Sequence, residues 1–321
     1  MNSKINACVL GFAIGEAFGL PLNYIAKEQL INKPVTKMLK CENYDVPIGT
    51  WSSGTSNLLA TMDSIITKTR IDYNSIADNL LLWYKTAKYT ATASVLDIDF
   101  TSKHALNKYF EEKSDATKLG GTGYSDCGNE FLPRLLPIAF YLYGTKARDY
   151  TIHSVVKNVT FITHRSEIPA MAAYIFTKYI IFLLRGTDKL ASFSMLKNLD
   201  YTMYFKSETI KEFEHLLKDN VYNLPLEMIN SNNYVIDTLE AFFYCFINSN
   251  SFSQALIGSV NLGGQASMLG GLCSSVAAIY YGYETIPANL VESLNKKEYL
   301  MKMISDYEDI LNIRLVRKLK I

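Results

Sequence analysis

Four stretches of this chain are richer in Gly, Ser, Thr and Asn than a helix surface requires. They are GEAFGLPLNY (15–24), GTWSSGTSNLL (49–59), GGTGYSDCGNEFLPRLLP (120–137) and VNLGGQASMLGGL (260–272). Each runs from a loop into the start of a helical pattern. The first N–H groups of a helix lack intrahelical partners and carry the positive end of its dipole, so they attract anions, phosphate above all. Four such starts in one chain point to a cleft for a small molecule. Trp51 and Tyr124 are aromatic rings set in these loops, and the binding reading makes them stacking faces. Asp97 can hold a guanidinium or act as an acid–base group, or it can be the N-terminal carboxylate of the helix TSKHALNKYF. Asp99 lies two residues on, and on a regular helix the two do not readily face one pocket. His164 is a candidate ligand contact, with a hydrogen-bonded core histidine as the other reading. His104, His153 and His215 lack metal-ligand spacing.

The elements that must position these residues are helical. Leu58, Met62, Ile65 and Ile66 share one helical face, as do Ile76, Leu80 and Trp83 with Tyr84. The run IPAMAAYIFTKYIIFLL is apolar nearly all round and predicts an interior helix. Further patterns predict helices near 101–112, 132–143, 149–161, 207–218, 234–248, 251–260, 266–281 and 297–311. Ser207, Ser251 and Pro287 are start signals. VTKMLKC (35–41) is the one weak strand pattern, and 219–233 reads as a loop. No linker or 20–50-residue repeat divides the chain, so the expectation is one all-α domain over 1–321.

Composition narrows the classes. The chain has 321 residues, 49% hydrophobic and 20% charged, which excludes disorder. Lys+Arg 32 against Asp+Glu 31 leaves a net charge of +1, so no overall basic field draws nucleic acid. The five cysteines are odd in number, widely spaced and free of C-x-x-C, which suggests reduced thiols in a cytoplasmic protein. The N-terminal apolar run is broken by Gly11, Gly15 and Glu16 and reads as a buried helix, not a signal peptide. No apolar stretch is expected to reach the ~18 residues of a membrane span. The basic end RLVRKLKI (314–321) reads as a solvated helix end.

In order and spacing the motifs resemble the ADP-ribosylglycohydrolases, which remove ADP-ribose from arginine and related acceptors. The family's G-D-A-x-G-x-P is similar to Gly15-Glu16-Ala17-Phe18-Gly19-Leu20-Pro21. Its G-x-W-T-D-D-T is similar to Gly49-Thr50-Trp51-Ser52-Ser53-Gly54-Thr55. D-I-G-x-T-T-x-x-A-L resembles the segment from Asp97 to Leu106, and G-N-G-x-x-M-R-x-x-P resembles Gly128-Asn129-Glu130 through Arg134 to Pro137. A Thr-His pair stands at Thr163-His164. G-G-D-T-D-T resembles Gly263-Gly264-Gln265-Ala266-Ser267-Met268, followed by Tyr281-Gly282 and Ile286-Pro287. The resemblance runs from about residue 5 to about 295. It implies a compact orthogonal multi-helix bundle, and a cleft in which Ser52, Ser53, Gly54, Thr55, Gly128, Asn129, Glu130, His164, Gly263, Gly264, Gln265 and Ser267 contact ligand. Asp97 and Glu16 are its candidate catalytic residues.

The departures carry equal weight. The family holds two Mg²⁺ between its T-D-D and D-T-D-T segments. Here those positions offer Ser52, Ser53 and Gly54, then Gln265, Ala266, Ser267 and Met268. Mg²⁺ is a hard cation that takes carboxylate oxygens, and none remains at these positions. Between Glu240 and Glu284 there is no Asp, Glu, Lys or Arg at all. Asn23 stands near where the family often has glutamate, and Glu130 places a bulky anion in a loop that favours close backbone approach. The sequence expectation is therefore a protein that binds ADP-ribose or an ADP-ribosylated protein, without metal and without dinuclear Mg-dependent hydrolysis. A metal-independent hydrolase using Asp97 with Glu16 or Glu130, and an interaction protein with no small ligand, are the alternatives.

Overall fold

The computed structural model describes the backbone from Asn2 to Leu319 and the side chains of residues 3–313. Among the described residues the regular elements are α-helices and short 3-10 turns. Extended pairing is confined to three isolated bridges. Among the described residues a main hydrophobic core takes in residues from Ile5 to Leu311, with a small separate cluster of Leu20, Cys41, Val46 and Leu96.

Its axis is the pairing of the helices Asn2–Gly19 and Ala266–Tyr281. Gly11, Gly15 and Gly19 recur every four residues and form a groove on one face of the first helix. Ser274, Gly270 and Ala266 face them in reverse order. A methyl group on Gly19 would lie 2.3 Å from the Ala266 carbonyl oxygen, and one on Gly11 2.7 Å from that of Ser274. Each helical Gly costs roughly 1 kcal/mol of propensity. The backbones approach closely in return, and both helix ends bearing Gly-rich loops are brought side by side.

The helix Glu167–Leu184 runs through the interior, with every side chain from Pro169 to Leu184 buried. Lys178 reaches out of it to Asp149, Nζ to Oδ1 2.6 Å. This helix and the segment Ser3–Leu22 are each long and apolar enough to cross a membrane, contrary to the sequence expectation; 89% of each is buried inside the fold. All five cysteines are buried and unpaired.

Predicted helices lie at 100–112, 135–144, 149–161, 235–248, 252–260 and 266–281. The 207–218 pattern is two short helices, Ser207–Glu212 and Glu214–Lys218. Ser251 caps its helix by accepting from the Gln254 N–H at 3.2 Å. Ser207 does not cap: Lys206 is the cap residue without a side-chain bond, and Glu167 holds that start through Thr209 Oγ1. The weak strand at 35–41 is not one. Asn261 satisfies both backbone groups of Val35, at 2.8 and 2.9 Å, leaving no ladder to build. The 219–233 loop contains two 3-10 turns, and Lys27 Nζ pins it by donating to the carbonyls of Leu226, Glu227 and Ile229. The side chains of the basic end at 314–321 lie outside the described residues.

Candidate functional site

The four Gly-rich stretches do meet. Glu16, 1% exposed on the N-terminal helix, points at the start of the helix Ser53–Lys68. Its Oε1 accepts from Ser52 Oγ (2.8 Å) and the Gly54 N–H (2.7 Å); its Oε2 accepts from the Thr55 N–H (2.9 Å) and Thr55 Oγ1. Ser52, the cap residue, makes no side-chain cap bond, so Glu16 caps this helix from another element. Burial pushes its carboxyl up, and the bonds from Thr55 and Ser52 oppose that. Both oxygens are occupied, which leaves Glu16 without a free lone pair facing a ligand and makes it a structural group, a correction to its candidate catalytic role.

The end of the same helix leads through the turn Leu20–Leu22 to Asn23, 4% exposed. Asn23 Oδ1 accepts from the Ser267 N–H at 2.9 Å, at the uncapped start of the helix Ala266–Tyr281. Its Nδ2 donates to Ser267 Oγ (3.0 Å) and to Asp97 Oδ2 (3.1 Å). Tyr24 donates its hydroxyl to Asp97 Oδ1 at 3.3 Å. The Gly263–Gly264 turn closes this corner: both have positive φ (68° and 56°), Tyr24 N–H donates to the Gly264 carbonyl at 2.7 Å, and a Cβ on Gly263 would lie 2.2 Å from the Ile25 carbonyl oxygen. Only glycine fits there.

Asp97 itself has φ 59°, a left-handed conformation unusual for a side-chain-bearing residue. Asp97 and Asp99 both lie in the field of buried Glu130. The helix cap ahead of TSKHALNKYF is Asp99, not Asp97: its Oδ1 accepts the Ser102 N–H. Burial raises the Asp97 carboxyl and the Asp99 charge adds to it, outweighing bonds from Tyr24 and Tyr44. For Asp99, burial pushes upward too. His164 and the Ser102 bonds outweigh it, and the carboxyl ends below its usual range.

Beneath this pair, His164 Nε2 stands 3.4 Å from Asp99 Oδ2 and its Nδ1 is 2.7 Å from Thr163 Oγ1. Arg134 Nη2 donates to the same Thr163 hydroxyl. Arg134 is completely buried, which lowers its pKa to about 10 against the opposing fields of Asp99 and Glu130. Glu130 does not seat on Arg134; Asn57 Nδ2 donates to it at 3.4 Å, and Ser53 also bonds to it. His164 is 0% exposed, so it meets the cleft only through Asp99.

The outer part of the site is a cavity of about 350 Å³ lined by Tyr124, Cys127, Gly128, Asn232, Asn233, Tyr234 and Asp237, among others. The Tyr124 ring is 71% exposed and lies 5.5 Å from that of Tyr234. A Cβ on Gly128 would be 3.4 Å from His164 Nε2 and 3.7 Å from Asp99 Oδ2, so Gly128 is the partition between cavity and carboxylates. Asn129 turns from the cavity to Thr238 Oγ1 at 2.8 Å. Trp51 corrects the stacking expectation: it is 1% exposed and its Nε1–H donates to the Asn295 carbonyl at 2.9 Å, so neither ring face is open.

Sequence reasoning passed over Tyr24, Tyr44 and the Asn232–Tyr234 wall. The SNNY run before a helix was the one signal for the wall; Tyr24 ends the marked stretch 15–24 without being singled out, and nothing local marked Tyr44.

At the positions where a cation pair would sit, the donor groups already have partners. The hydroxyls of Ser52 and Thr55 are turned to Glu16, the Ser267 hydroxyl accepts from Asn23, and the Gln265 side chain pairs with Tyr24. Among the described residues no group of three His, Cys, Asp or Glu is placed to hold a metal ion. Hydroxyls and amides already committed to other partners do not fit two divalent charges.

Comparison with known proteins gives a consistent picture. A family model described as ADP-ribosylglycohydrolase matches residues 1–318. The chain is 25% identical over 305 residues to an ADP-ribosylarginine hydrolase Tri1 of Serratia proteamaculans (strain 568), covering 94% of this chain and 77% of that protein. It is 23% identical over 299 residues to the ADP-ribosyl-[dinitrogen reductase] glycohydrolase of Rhodospirillum rubrum, covering 92% of each. A solved structure described as an ADP-ribosylglycohydrolase-related protein complex superposes with a TM-score of 0.80 at 21% identity, over 97% of this chain and 98% of that one.

Proposed function

The chain belongs to the ADP-ribosylglycohydrolase family, and we propose that within it this protein binds ADP-ribose or an ADP-ribosylated protein without carrying out dinuclear Mg-dependent hydrolysis. The observation that carries this reading is the commitment of the donors at the two inter-segment positions. Ser52 and Thr55 serve Glu16, and Ser267 serves Asn23. The outer cavity, with the open Tyr124 ring and the amides of Asn232 and Asn233, suits an adenosine moiety. Relatives acting on ADP-ribosylarginine and on ADP-ribosylated dinitrogen reductase make a modified protein the natural partner. Neither nucleic acid nor membrane is part of this reading, and the five unpaired cysteines favour a cytoplasmic setting.

One observation favours a second reading, a hydrolase that works without metal. Asp97 is pushed toward its protonated form while Asp99 beside it is held ionised. Neighbouring carboxyls with divergent environments are the arrangement a glycosidic acid and its partner carboxylate need.

Titration calorimetry with ADP-ribose, in Mg²⁺ and in EDTA, tests the first reading; equal binding in both is expected, and absence of heat at millimolar ligand in both removes it in favour of an interaction protein. Release of ADP-ribose from modified arginine in EDTA, abolished in Asp97→Ala, would establish the second reading instead.

A further inference from the structure

Asn23 sits where three segments distant in sequence converge. It is 74 residues from Asp97 and 244 from Ser267, yet one amide group bonds to both. Every polar valence it uses has a specific direction. The carbonyl oxygen takes the Ser267 N–H at the start of a helix whose cap residue, Gln265, supplies no side-chain cap. The amide nitrogen spends one proton on the Ser267 hydroxyl and one on the Asp97 carboxylate. The group is 4% exposed, so these bonds are made away from bulk water, where a neutral donor beside a carboxylate counts for more. From the N-terminal helix, Glu16 likewise gathers a remote segment, accepting from Ser52, Gly54 and Thr55.

We infer that the Asn23 amide does the joining work of a cation in this cleft: it draws the Asp97 carboxylate to the Ser267 helix start, so that the cleft assembles without divalent ions. Asn23 is thus a positioning residue, acting on a ligand only through Asp97 and Ser267. The inference rests on the reading of this cleft as the ADP-ribosyl site for its ligand arm alone. A carboxylate in place of the amide would repel Asp97 and offer, with it, two oxygens to a hard cation. A cation requirement would then appear where the parent protein has none.

The test compares the full-length chain with Asn23→Asp and Asn23→Ala. The thermal midpoint and the ADP-ribose affinity are measured in EDTA and in millimolar Mg²⁺. The parent is expected to show the same midpoint and the same affinity in both media. Asn23→Asp is expected to melt lower in EDTA and to recover about 2 °C or more on addition of Mg²⁺. Asn23→Ala is expected to melt lower without any Mg²⁺ response, and to bind ADP-ribose about tenfold more weakly. A parent midpoint that rises with Mg²⁺ would overturn the inference. So would an Asn23→Asp protein whose Mg²⁺ response does not exceed the parent's, or one that stays unfolded in both media. If the parent binds no ADP-ribose while the midpoints behave as expected, the clamp stands and the ligand reading falls.

Discussion

A methyl group on Gly15 would lie 2.1 Å from the carbonyl oxygen of Gly270, and one on Gly270 would lie 2.6 Å from that of Gly15. The two helices therefore meet backbone to backbone, beside Glu16 on one helix and about one turn from Ser267 on the other. This contact sets the spacing of the cleft.

Gly15→Ala is expected to destabilise the protein at the upper end of the overpacking range, about 3 kcal/mol or more, because the obstacle is backbone and cannot rotate away. Gly258 supplies the contrast. It lies inside the helix Phe252–Val260, where a methyl group would meet nothing within 4 Å and φ is not positive. Gly258→Ala is expected to stabilise by about 0.5–1 kcal/mol. Urea midpoints of the two variants check the pair; a neutral Gly15→Ala would mean that the helices can separate at no cost.

Glu130 links stability to pH. Burial, then the charges of Asp99 and Asp97, raise its carboxyl well above the ordinary range in the folded state. The folded chain keeps a proton that the unfolded chain releases, so this contribution is greatest below the unfolded value of about 4.3 and declines as pH rises through the folded one. Glu130→Gln keeps the shape and removes the titration. It is expected to exceed the parent in stability near pH 8, with the gap closing toward acid. Chemical unfolding across that pH series is the measurement, and a gap that does not vary with pH would count against a protonated Glu130.

Tyr124 and Trp51 separate binding from folding. Removing the open Tyr124 ring is expected to weaken ADP-ribose binding by about 1–3 kcal/mol and leave the thermal midpoint unchanged. Trp51→Phe is expected to do the reverse. It leaves the buried Asn295 carbonyl without its indole donor, at about 1–2 kcal/mol of stability, with affinity unchanged. Calorimetry and melting of both variants check the assignment; weaker binding in Trp51→Phe would restore Trp51 to the site.

Much of the helical framework was legible in the residues themselves. The all-round apolar run ending at Leu184 specified an interior helix, and the periodicities near 149–161 and 266–281 matched the helices there. These are short-range properties: which backbone N–H pairs with which carbonyl four residues back depends on neighbours in the chain. The Gly-rich starts likewise marked where the cleft's walls begin. What the chain alone could not decide was which way side chains face once remote helices pack. Glu16 reads as a candidate catalytic residue until Gly54 and Thr55 are seen beneath it, and Trp51 reads as a stacking face until its burial and its bond to the Asn295 carbonyl are seen. Asp97, in the left-handed region at φ 59°, shares the field of Glu130 with Asp99, a placement that the spacing of two residues did not fix. Asn23 meets Asp97 and Ser267 because the glycine groove lets two helices far apart in the chain lie in backbone contact. Such partnerships are set by the need to satisfy buried polar groups across long sequence separations, and that need is met in three dimensions.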